Sequence, residues 1–151
     1  MKERTHGGNA NSSARRVAAY GMAAVFAAVG GVFLAAPGSV ISFFNSLSGP
    51  LGMRPAPASG PSLFSALAAA YMYLVTILAW NMARRPEEDI FPRLLVHAKL
   101  ASAIVSLGLF FASTPYLVFL ANGLVDGLIG GGVQFLFRGK GTTGRTGPGE
   151  T

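Results

Sequence analysis

The chain has 151 residues, of which 51% are hydrophobic and only 12% charged, and its mean hydropathy of +0.47 excludes an ordinary soluble domain. A net charge of +6 does not point to nucleic acid, because the cations flank apolar runs instead of alternating with aromatics on one surface. Cysteine is absent, which rules out disulfides, thiol catalysis, iron–sulfur ligation and Cys-based zinc sites.

Residues 1–16, MKERTHGGNANSSARR, carry too little apolar surface to offset the entropy of ordering and are expected to form a disordered cytoplasmic tail. Residues 17–36, VAAYGMAAVFAAVGGVFLAA, contain no charge and stop at Pro37-Gly38, as a first transmembrane helix should. A cleaved signal peptide is the competing reading. It fits the basic start, but the apolar stretch is longer than a signal core and Leu34-Ala35-Ala36 is only a partial cleavage match.

The connection from Pro37 to Ser62 is rich in Pro, Gly and Ser. Within it, Val40, Phe43, Phe44, Leu47 and Leu51 recur at three- and four-residue intervals, which predicts a short amphipathic segment capped by Ser39. Such a segment either lies flat in the membrane interface or tucks onto the end of the bundle.

Residues 63–83 form a second span that ends in Trp80 and then Arg84-Arg85, the order in which a helix leaves hydrocarbon through the aromatic belt into a basic loop. The solvated loop RRPEEDIFPR leads to a third span over 94–112. A fourth follows over 116–137 after Ser113-Thr114-Pro115, with Thr114 expected as its cap and Pro115 at its first position. So short a connection forces an antiparallel pair. Residues 138–151 are rich in Gly and Thr, without apolar periodicity, and read as a second disordered cytoplasmic tail.

The expected fold is therefore all-α: an integral membrane four-helix bundle with a short amphipathic outer-loop segment. With the N-terminus in the cytoplasm, every Lys and Arg except Arg54 falls on one side, so both termini are expected inside and the Pro37–Ser62 connection outside.

One carboxylate interrupts the fourth span, LVFLANGLVDGLIGGGVQFLF. Asp126 lies about 12 residues past the Ser113-Thr114 turn, or about 18 Å at the helical rise, near mid-membrane. Lys99 lies about 14 residues before the same turn, so the two differ in depth by roughly 3 Å. An isolated charge at this depth costs about 2.5–3.5 kcal/mol on insertion scales, and the pairing of depths predicts an interhelical Lys99–Asp126 ion pair joined by Asn122 and Ser102. Two roles are open. The cluster could be a proton or ion relay or the polar floor of a ligand pocket, or it could be polar glue that fixes helix register.

Glycines and alanines at four-residue spacing suggest close backbone approach: Gly123, Gly127 and Gly131 in the fourth span, and Ala19, Ala23, Ala27, Gly31 and Ala35 in the first. Packing of the first span against the fourth would close the bundle, and dimerisation is the other use of such a ridge. His97 is the one histidine near the membrane, so no bis-histidine haem or histidine-rich metal site can be assembled within one chain. No Walker, G-x-S-x-G or H-E-x-x-H motif is present. No cofactor is expected, and no enzymatic constellation is legible.

Four spans, a Pro-terminated first helix with a semi-amphipathic outer loop, Arg-Pro after the second span and NGLVDG in the fourth together resemble the DoxX-like group of small bacterial four-helix membrane proteins. In actual motif the resemblance rests on Asp126-Gly127. It implies a left-handed four-helix bundle in the bacterial inner membrane and, for some members, association with quinone-linked oxidoreductases; it carries over no catalytic residue. The expected function is a non-enzymatic accessory or structural membrane subunit, with a small carrier or channel and a quinone-linked subunit as alternatives. Expected partners are the lipid bilayer and either a second copy or another membrane protein.

Overall fold

The computed structural model describes residues 7–57 and 63–137. It contains five helices: α1 (Gly7–Ala35), α2 (Pro37–Ser48), α3 (Leu63–Arg84), α4 (Ile90–Ala112) and α5 (Leu117–Phe137). No strand occurs among the described residues. Four of the helices, α1 and α3 to α5, are long and apolar enough to cross a membrane.

The spans expected from sequence are present, with shifted starts. Helix α1 begins at Gly7, so residues 7–16 are helical where a tail was expected. Once the span nucleates a helix, extending it backward through a stretch that lacks proline fixes only one residue per added hydrogen bond. Residues 1–6, 58–62 and 138–151 lie outside the described residues, and so do the expectations that fall on them, including the whole C-terminal tail. The third span starts at Ile90 instead of residue 94, one turn earlier.

Two capping expectations are corrected. Ser39 is not the cap of α2: the helix starts at Pro37, with Ala36 at the cap position making no side-chain bond. Proline at the first position needs no amide partner and presets the backbone, so it takes precedence over a serine two residues later. Thr114 does not cap α5 either. The Tyr116 carbonyl accepts from the Phe119 and Leu120 amides, placing Pro115 just outside the helix.

Helix α1 packs most extensively on α3, and α4 on α5; the contact between α3 and α4 is thinner. The expected closure of the first span against the fourth is therefore not the main packing of either. Each partnership follows from a buried stripe: Ala19, Ala23 and Phe26 on α1; Met72, Val75, Ala79 and Met82 on α3; Leu95, Lys99, Ala103 and Ser106 on α4; Gly123, Asp126, Gly130 and Val133 on α5. These positions advance by steps of three or four, with both steps present on every helix. An average of 3.5 keeps a stripe facing one neighbour, whereas a strict four-residue repeat drifts by about 40° per step at 3.6 residues per turn.

That drift explains why the small-residue ridges hold only in part. Ala19 and Ala23 are buried, but Ala27, Gly31 and Ala35 turn to the exposed surface. The close approach is made by Gly30, where an added Cβ would lie 2.9 Å from Met72 Cβ. On α5, a Cβ on Gly123 would meet Leu107 Cγ at 2.7 Å and the Ala103 carbonyl oxygen at 3.3 Å. Gly127 faces Ala103 more loosely, at 3.8 Å, and Gly131 faces nothing within 4 Å. Gly130, against Leu100 and the Lys99 Cβ, takes the place expected of Gly131.

At the arginine-rich end, the Arg15 guanidinium lies 5.6 Å from the Phe137 ring centre, tying α1 to α5. Trp80 stands edge-on to Tyr20 at 5.3 Å, between α1 and α3.

Candidate functional site

The buried stripes of α4 and α5 carry polar residues at the level where they face one another. Lys99 Nζ donates to Asp126 Oδ1 at 2.7 Å. Lys99 is 1% exposed and Asp126 2%, so the pair is closed off on all sides. The expected ion pair is thus present in the geometry, and the depths inferred from helix rise bring the two side chains together.

The rest of the expected cluster is arranged differently. Asn122 does not join the pair. Its side-chain amide donates to Ser106 Oγ at 2.8 Å and, more weakly, to Ser102 Oγ at 3.3 Å. Asn122 is one turn before Asp126 on α5, and Ser102 and Ser106 are one turn apart on α4. The two pairings therefore run side by side along the same seam: ionic below, neutral above.

The ammonium is finished by aromatic rings from the other two spans. Its nitrogen sits 4.6 Å from the Phe26 ring centre on α1 and 5.1 Å from the Tyr71 ring centre on α3. Both distances fall inside the range in which a ring quadrupole attracts a cation. The Tyr71 hydroxyl donates to the Ala98 carbonyl at 3.0 Å, which holds that ring against α4. Every span thus touches Lys99: α5 through a carboxylate, α1 and α3 through π faces, and α4 through its own backbone.

Asp126 is less fully satisfied. Its Oδ2 is buried without a hydrogen-bond partner among the described residues, although Oδ1 takes the lysine. A half-satisfied buried carboxylate costs more than a fully bonded one, so the contacts of Lys99 with Phe26 and Tyr71 are part of what holds the pair in place.

Sequence reasoning missed Phe26, Tyr71 and Ser106. Ser106 had a signal, since it lies seven residues after Lys99 and four after Ser102, on the same helical face. Phe26 and Tyr71 had none beyond their place in apolar helices, because which ring meets a cation depends on how α1 and α3 are rotated. No group of three or more His, Cys, Asp or Glu that could hold a metal ion occurs among the described residues. His97 is exposed, its Nδ1 at 2.7 Å from the Arg93 carbonyl one turn back.

No protein-family model, curated protein or solved structure matches the chain.

Proposed function

We propose that this chain is a multi-pass membrane protein that works as a non-enzymatic accessory or structural subunit, with the Lys99–Asp126 pair as the lock that sets how its four spans meet. The observation that carries this reading is the enclosure of the pair: both members are at most 2% exposed, and all four spans contribute to it. A group that hands ions or substrates across a membrane needs access from at least one side, whereas a register lock works best sealed. The cation bias of the alternate loops supports an orientation with both termini in the cytoplasm. The resemblance to DoxX-like proteins supports a bacterial inner membrane as the location.

A second reading, a small carrier or channel, is favoured by one specific feature, the Oδ2 of Asp126, which has no hydrogen-bond partner among the described residues. A third, a membrane subunit of a quinone-linked oxidoreductase, rests on the family resemblance and needs reactive groups on a partner.

Purification in mild detergent followed by native mass analysis tests the choice. A stable partner protein at fixed stoichiometry is the expected result. A bound small molecule that disappears in both Lys99→Met and the folded Lys99→Met/Asp126→Asn variant contradicts the accessory reading and favours the carrier.

A further inference from the structure

Helix α2 is set apart from the four spans. The chain leaves α1 through Ala36, whose backbone is non-helical (φ −145°, ψ 58°), and Pro37 starts a new helix of 12 residues. This short helix touches both α1 and α5. A helix continuing along the α1 axis would move away from α5, so α2 turns across the end of the bundle and bridges two spans that have little contact of their own.

Its faces are chemically distinct. Ser39, Ser42 and Ser46 share one exposed side, while Phe43 and Leu47, one turn apart, share another and are 59% and 44% exposed. Phe44, Asn45 and the buried Ser48 turn inward. The segment that follows is folded back and fastened. The Asn45 side chain donates to the Ala56 carbonyl at 2.8 Å and accepts from the Ala56 amide at 2.7 Å. Gly52, at φ 65°, makes the turn that puts Leu51 at the tip, 59% exposed. Three large apolar side chains are thus held outward by a structured element. No charged residue lies anywhere in α2.

We propose that α2 and its turn bind the headgroup–acyl boundary of the bilayer through Phe43, Leu47 and Leu51, forming an interfacial belt that clamps α1 to α5. Val32 and Leu34, near the end of α1 where it meets α2, are 50% and 75% exposed, so large apolar side chains are exposed on both sides of the Ala36 bend. The serine side meets headgroups and water. Because α2 carries no charge and the segment that follows it holds the single exposed cation Arg54, binding draws mainly on apolar burial and does not require anionic lipid, unlike a basic amphipathic helix.

The test uses the full chain, in a Trp80→Phe background, reconstituted into phosphatidylcholine vesicles with brominated acyl chains that quench tryptophan on contact. Single Phe43→Trp, Leu47→Trp and Leu51→Trp variants are compared with Ser42→Trp on the serine side. Quenching at least about twofold stronger at the three apolar positions, already present without anionic lipid, is the expected result for an interfacial helix held mainly by apolar burial. Equal quenching at Ser42, or none at the apolar positions, overturns the proposal, as does quenching that appears only with anionic lipid. Leu51→Trp sits in a turn rather than a helix and serves where a variant in α2 fails to fold. The proposal rests on the membrane reading, which the native Trp80 tests separately in the parent chain. Quenching of Trp80 without quenching at Phe43→Trp sinks the belt alone, and an unquenched Trp80 sinks the membrane reading with it.

Discussion

Breaking the Lys99–Asp126 pair from one side should cost far more than removing it altogether. Asp126→Asn leaves an ammonium in the seam with two π faces and no counter-charge. Lys99→Met keeps the stem volume against Phe26 and Tyr71 but leaves a carboxylate that already has one unpartnered oxygen. Each single change is expected to cost about 3–5 kcal/mol, the usual penalty for orphaning one member of a buried pair. The double variant Lys99→Met/Asp126→Asn removes both charges and leaves only a buried amide to satisfy, about 1–3 kcal/mol. The two single losses together then exceed the double loss by at least about 3 kcal/mol, a coupling energy well outside the scatter of independent sites. Equilibrium unfolding in mixed micelles, followed by helical circular dichroism, measures all three. Losses that add to within about 0.5 kcal/mol mean that the two residues do not act as a pair, and the lock is then refuted.

Glycine substitutions separate the close approaches from the open positions. Gly123→Ala should cost about 1–3 kcal/mol by forcing Leu107 and the α4 backbone away, whereas Gly131→Ala, with nothing within 4 Å, should be neutral or stabilise by up to about 1 kcal/mol through helix propensity; thermal melts in detergent check both. Gly30→Ala, whose new Cβ would fall against Met72 Cβ, should lower the melting temperature as Gly123→Ala does. Asn45→Ala loses both bonds to Ala56 and should speed amide exchange in residues 49–57 while leaving α3 to α5 unchanged. For orientation, a cysteine replacing exposed Pro57 should react with an impermeant thiol reagent in intact cells and one replacing exposed Glu88 should not; the reverse pattern inverts the topology.

The spans and the central ion pair were legible because each rests on a one-dimensional rule. Length and absence of charge mark a span, and a fixed rise of about 1.5 Å per residue converts position along two helices joined by a short turn into a common depth for Lys99 and Asp126. What depends on rotation about the helix axis was not legible. A four-residue repeat such as Gly123, Gly127 and Gly131 winds around the helix, so Gly130 and not Gly131 meets α4. Asn122 lies one turn from Asp126 on α5, yet its amide finds acceptors across the seam in Ser106 and Ser102. Phe26 and Tyr71 belong to the site only because α1 and α3 turn their stripes toward Lys99, which nothing local in either segment encodes. The ends of helices were misjudged where proline overrides a nearby hydroxyl, as Pro37 does over Ser39.

The contact at the centre of the site can be measured directly by solid-state NMR on the protein in lipid bilayers, with lysine side chains labelled with ¹⁵N and aspartate carboxyls with ¹³C. A strong dipolar coupling is expected between the Lys99 ammonium nitrogen and the Asp126 carboxyl carbon, matching the 2.7 Å separation of Nζ and Oδ1, and it should vanish in Lys99→Met. A wild-type sample without that coupling, with the Lys99 nitrogen reporting contact with lipid headgroups instead, would mean that the lysine reaches out of the bundle and that no lock joins the four spans.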